Sequence, residues 1–223
     1  MLAFDDVGAG NWERYKEFIL NSESIFPENM RSSPEDFSNM FSEDGLVAKV
    51  ALLDSRYIGN VIGCAVPPED RSYYEITGLP EGSRVLYILN MVVNPEHHGK
   101  GYGKQLLQEM VRQAKNSGYD YVVGHFRQNA SFHIMKKMGG VETGNFKNWD
   151  DTQEDFIECC LDLRTFNDTS LTAGEPQKSL PAHEQAQPKL QAEDGPAPLS
   201  PEFMQPGDAH LDDPSGMAPA PHF

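Results

Sequence analysis

Residues 98 to 103 read His-Gly-Lys-Gly-Tyr-Gly, with glycine at alternate positions and Lys104 following. Glycines at this spacing, just ahead of a helical stripe, suit one chemistry. Successive backbone N–H groups at a helix start form a nest for phosphate oxygens, and the helix dipole adds to the attraction. A bulky side chain at 99, 101 or 103 would hold the anion away or forbid the dihedrals such a turn needs. Two other phosphate motifs fit poorly. A P-loop ends in Gly-Lys followed by Ser or Thr, but Gln105 follows Gly103-Lys104 and His98 stands where the first glycine belongs. A dinucleotide fingerprint needs G-x-G-x-x-G, whereas this turn is G-x-G-x-G, and Asp120 at about the distance of a ribose contact is accidental.

The elements on either side must position that turn. Val85 to Val93, VLYILNMVV, is nearly continuous in apolar residues with Asn90 its only polar member, and reads as a central strand covered on both faces. Gly103 to Asn116 carries Leu106, Leu107, Met110, Val111 and Ala114 on one helical stripe that ends at Ser117-Gly118. Tyr119 to Phe126 returns as a strand, so a helix crossover joins two parallel strands. Ala130 to Met138 is a second helix stopped by Gly139-Gly140, and Phe156 to Leu163 is a last strand. Upstream, Trp12 to Leu20 is helical, Ser33-Pro34-Glu35-Asp36 starts a helix, and Leu46 to Leu53 with Tyr57 to Ala65 form a hairpin. Residues 1–165 therefore predict an α/β (α+β) domain, a central mixed sheet flanked by helices.

The run VLYILNMVVNPEHHGKGYGKQLLQEMV resembles the strand, Asn-Pro-Glu link, glycine turn and helix of the GNAT superfamily of acetyl-CoA-dependent N-acyltransferases. Gln128-Asn129-Ala130-Ser131 through Lys137-Met138-Gly139-Gly140 is similar to that family's following helix. The match is close over residues 85–140 and holds by element order over 1–165. The resemblance implies acetyl-CoA as acyl donor and a primary amine of a small molecule, amino acid or peptide as acceptor, joined by direct attack in a ternary complex. It implies that the backbone of Met91, Val92 and Val93 pairs with the pantetheine arm at a splay between this strand and the next. His98, Gly99, Lys100, Gly101, Tyr102, Gly103 and Lys104 would surround the pyrophosphate, and Asn129, or Gln128 one place earlier, would hold the cofactor.

Several positions depart from the family pattern. His98 replaces the usual Gln or Arg, Gly140 the usual Phe, and Met135 the Tyr that in many relatives protonates the thiolate. Asn90 stands on the strand where many relatives carry a Glu or Asp base, and an amide cannot accept a full proton at neutral pH. Asn90, His133 and Glu75 are the acid–base candidates, with His125, Tyr74 and Tyr87 behind them, and none singles itself out. The segment from Pro67 to Ser83, with Tyr73-Tyr74-Glu75, precedes the central strand on the side where relatives admit the acceptor. A catalytically degenerate CoA-binding sensor or interaction module is the alternative reading.

The net charge of −16 disfavours nucleic acid and anionic membrane surfaces as partners. The cysteines, Cys64, Cys159 and Cys160, offer no disulfide framework, and His97-His98 with Cys159-Cys160 lack metal-ligand spacing, so no metal is expected. No apolar leader or span precedes Asp5-Asp6, which points to a cytoplasmic protein, monomeric or homodimeric. From Phe166 onward the chain holds 10 of its 16 prolines and only two basic residues against nine acidic ones, so 166–223 is expected to be a disordered acidic tail.

Overall fold

The computed structural model describes residues 1–42, 45–149 and 152–167. Seven strands form one sheet: β1 Leu2–Val7, β2 Val47–Leu53, β3 Arg56–Val66, β4 Val85–Val93, β5 Tyr121–Phe126, β6 Val141–Phe146 and β7 Phe156–Asp162. Their order is β1-β2-β3-β4-β5-β7-β6. Every pairing is antiparallel except β4 with β5, the pair joined by the long helix. The mixed sheet flanked by helices is thus the architecture expected.

Among the described residues four α-helices cover the sheet: α1 Trp12–Ser22, α2 Pro34–Ser42, α3 Tyr102–Asn116 and α4 Ala130–Lys137. Period-two alternation sends Val47 and Ala51 of β2 to one face, where they join Leu106, Leu107 and Met110 of α3. Ala48, Val50 and Leu52 turn to the other face and pack with Trp12 and Ile19 of α1 and Phe37 and Phe41 of α2. β2 therefore lacks hydrophobic–polar alternation, as a strand covered on both faces should. Its Lys49 is buried but pairs with Asp6 of β1.

Two strands carry no legible sequence signal. In β1 the acids Asp5 and Asp6 break the apolar pattern, yet Asp5 accepts from the Tyr15 hydroxyl and Asp6 from Lys49. β6 is an edge strand with most of its side chains exposed and a bulge between Glu142 and Gly144. At the far end Phe166 is buried in the α3 and α4 core, and its carbonyl accepts from Lys115 Nζ at 2.6 Å. The acidic tail expected from that residue onward lies outside the described residues from 168. Among the described residues no helix is long and apolar enough to cross a membrane.

Candidate active site

The glycine turn links β4 to α3. Gly99 has φ +73° and Gly101, at the helix N-cap, φ +78°, dihedrals that only glycine adopts without strain. A Cβ at either would meet nothing within 4 Å, so the space beside both is open. No side chain caps α3, and the first amide seen to bond back is Gln105, to the Gly101 carbonyl at 3.2 Å. The amides ahead of it are the orphan donors of a helix start, gathered at the positive end of the dipole. Gly103 sits tighter: a Cβ there would stand 3.3 Å from Met91 Cε and 3.5 Å from Ile134 Cδ1.

β4 and β5 pair only from Val85 with Tyr121 to Tyr87 with Val123, after which they diverge. Against β3 the register slips between Ile62, opposite Asn90, and Gly63, opposite Ile88, which makes Leu89 an extra residue in β4. Such a bulge bends the strand and ends its pairing on the other side. Beyond it the pleat sorts the backbone groups. Asn94 N–H donates to Ile58 of β3 at 2.8 Å, so alternation turns Val92 toward β3 as well, and leaves the N–H and C=O of Met91 and Val93 facing the splay. The predicted trio Met91, Val92, Val93 is thus divided, with Val92 directed away from the opening.

A cavity of about 450 Å³ adjoins the splay, lined by Ile88, Leu89 and Asn90 of β4 and by aromatic side chains that include Tyr74, Tyr87 and Trp149. At its edge lies a buried polar chain. Asn60 Nδ2 donates to Asn90 Oδ1 at 2.7 Å, and Asn90 Nδ2 donates to Glu23 Oε1 at 2.7 Å. Ser32 N–H donates to the other Glu23 oxygen at 3.0 Å. Glu23 belongs to the one-turn 3-10 helix Glu23–Ile25 that follows α1, and it is only 5% exposed. Burial pushes its carboxyl above the usual range, opposed by the two hydrogen bonds. Glu23 is not among the residues that the sequence points to, because nothing in Asn21-Ser22-Glu23-Ser24 marks it and its partner Asn90 is 67 residues away.

A match to the acetyltransferase (GNAT) family model spans residues 13–139. The chain belongs to that family. It is accordingly an acyl-CoA-dependent N-acyltransferase. It is 29% identical over 162 residues to the L-amino acid N-acyltransferase MnaT of Escherichia coli strain K12, covering 69% of this chain and 88% of that one. Its fold resembles NAA60 of Arabidopsis thaliana solved in complex with acetyl-CoA, with TM-score 0.60 and 18% identity over 74% of this chain and 99% of that one. The ribosomal-protein-S18-alanine N-acetyltransferase of Escherichia coli shares the fold at TM-score 0.55 and 16% identity, covering 73% of this chain and 94% of that one.

The departures of this GNAT acetyltransferase from its family pattern have local physical reasons. His98 Nε2–H donates to the Val93 carbonyl at 2.6 Å, so the ring ties the turn back to the end of β4. Lys100 Nζ donates to the Glu96 carbonyl at 2.9 Å. Asn129 is the N-cap of α4, its Oδ1 accepting from Ser131 N–H at 3.0 Å, while Gln128 is exposed. At the other end of α4, Gly140 N–H reaches the Met135 carbonyl and Gly139 N–H that of Lys136, each at 3.0 Å, a Schellman closure with Gly139 at φ +99°. A Cβ on Gly140 would stand 2.8 Å from Cys159 Sγ, which leaves no room for phenylalanine there. Met135 is fully buried in the core and offers no proton.

The candidate acids and bases separate. Asn90 and Glu75 line the cavity, whereas His133 is exposed on α4 and is not among the lining residues. His125 lines it, stacked on Trp149 with ring centroids 4.0 Å apart, and shares a 2.8 Å hydrogen bond through Nδ1 with the Tyr87 hydroxyl. Burial pulls its pKa down to about 3, so the ring is neutral at physiological pH. Glu158 lies 3.8 Å from His125 Nε2, and burial pushes its carboxyl up. Cys159 and Cys160 sit on β7, their thiols pushed by burial up to about 11 and about 12.

Proposed function

We propose that this enzyme transfers an acetyl or other acyl group from acetyl-CoA to a primary amine of a small molecule, amino acid or peptide, by direct attack in a ternary complex. The observation that carries this reading is a shared strand segment. The open backbone groups of Met91, the N–H of Val93, the uncapped start of α3 and the carboxylate-edged cavity all meet on β4 just after its bulge. The similar folds add support, since the NAA60 structure contains acetyl-CoA.

In this reading the amides from Gly99 to Lys104 hold the pyrophosphate, with Lys100 and Lys104 as nearby cations. The pantetheine arm pairs with Met91 and Val93 in the splay, and Asn129 borders the cofactor from the α4 start with its free Nδ2. His98 and Tyr102 shape the turn. An amine arriving as ammonium gives one proton to the Glu23 carboxylate, which burial has made more basic than a surface glutamate. The freed lone pair forms the C–N bond while the thioester C–S bond breaks, and the second proton passes through water to the departing thiolate. A backbone N–H of the splay polarises the carbonyl.

The test is calorimetric titration with CoA, paired with thiol release from acetyl-CoA across a panel of primary amines. Saturable binding with amine-dependent release is expected. Binding without release for every amine would replace this reading with that of a CoA-binding sensor.

A further inference from the structure

The acceptor cavity has a chemical bias that the family alone does not dictate. A free amino acid presents a carboxylate beside its amine, and burying that group requires a cation or several aimed donors. Among the described residues no lysine or arginine lines the cavity, and its only imidazole, His125, is held neutral. Two arginines near the wall are already engaged. Arg31 Nε donates to the Phe26 carbonyl at 2.8 Å and its Nη2 to that of Ser24 at 3.3 Å. Arg127 pairs with Glu154 and lies over the Phe156 ring at 5.2 Å.

Negative charge and aromatic surface take the place of a cation. Glu23 and Glu75 both line the space, and each Glu23 oxygen accepts one hydrogen bond, which leaves each with capacity for another. Phe26, Tyr73, Tyr74, Tyr87 and Trp149 supply ring faces and edges that favour an apolar or aromatic body, and such rings also attract an ammonium group. Tyr74 packs 4.9 Å from Tyr87, Tyr87 5.7 Å from His125 and His125 4.0 Å from Trp149, so these four rings form one continuous wall. The volume of about 450 Å³ lies in the range of small-molecule sites.

Resting on the acyl-transfer reading above, we infer that the acceptor is a cationic primary amine with an aromatic or apolar body and no carboxylate beside the amine, anchored by Glu23. This excludes free amino acids as preferred acceptors, although the relative MnaT carries the name L-amino acid N-acyltransferase.

A matched series tests it on the unaltered protein: phenethylamine, phenylalanine amide and phenylalanine, each with acetyl-CoA, followed by thiol release. The inference expects kcat/KM for phenylalanine at least a hundredfold below that of the other two. Equal or better use of phenylalanine overturns it while leaving acyl transfer intact. Absence of release with these three and with every other primary amine overturns the transfer reading and the inference with it. Glu23→Gln supplies the second measurement. It is expected to raise KM for phenethylamine at least tenfold with KM for acetyl-CoA unchanged, which also reports that the variant folds. An unchanged amine KM in a variant that still binds acetyl-CoA counts against the anchor.

Discussion

Asn90 Nδ2 donates to Glu23 Oε1 at 2.7 Å across 67 residues of chain, so the amide that stands on the central strand in place of an acid holds a carboxylate brought from another element. The hydrogen bond favours the ionised carboxylate, while burial favours the protonated one and dominates. In Asn90→Ala the carboxyl should rise further. The acid limb of the kcat/KM profile then moves to higher pH, and its position in both proteins is the measurement. Asn60 also loses its acceptor, so stability should fall by about 1–3 kcal/mol. Because the folded pKa of Glu23 exceeds the unfolded one, its contribution to stability is present at low pH and is lost as pH rises through the folded value.

His125 has the opposite linkage. Its folded pKa, about 3, lies below the ordinary 6.5, so between those values the unfolded chain binds more protons. Stability is therefore full above pH 6.5 and falls on acidification, by at most about 1.4 kcal/mol per pH unit. His125→Phe keeps a ring against Trp149 and removes the titration. Denaturant unfolding from pH 7 to pH 4 should show a shallower loss in the variant than in the parent. Glu23, which makes no contact with His125, is common to both and drops out of the comparison.

Gly99 and Gly101 combine positive φ with open space. Alanine at either should cost the fold only about 1 kcal/mol of backbone strain, yet place a methyl beside the anion nest. A rise of tenfold or more in KM for acetyl-CoA, with little change in Tm, is expected from steady-state kinetics and thermal melting. Gly103→Val differs, since its methyl groups would press on Met91 and Ile134, and both KM and Tm should suffer.

Gly140→Phe would restore the family's usual residue where this chain cannot hold it. The Cβ alone meets the Met135 carbonyl and Cys159 Sγ at 2.8 Å, so thermal unfolding should show a loss of at least about 2–3 kcal/mol. Unchanged Tm would mean that β7 and α4 can separate freely.

The parts of this molecule legible in the sequence are those whose signal is local. The stripe of Leu106, Leu107, Met110 and Val111, the apolar run of β4 and the glycine turn each declare themselves within a few residues. β1 and β6 do not, because edge strands with acids or exposed side chains lack periodicity. The acceptor side exists only in the folded chain: Glu23 becomes meaningful when the end of α1 meets Asn90, and His125 when Trp149 covers it. The splay is implied by the family resemblance, but the bulge at Leu89 that opens it has no sequence mark.

The most direct measurement is the initial rate of thiol release against acetyl-CoA concentration at fixed phenethylamine, for the parent and Gly101→Ala, whose methyl enters the open space beside the turn. A saturable, amine-dependent rate in the parent, with KM for acetyl-CoA at least tenfold higher in the variant, is the predicted result. No amine-dependent release, or an unchanged KM when the α3 start is blocked, would contradict acyl transfer at this turn.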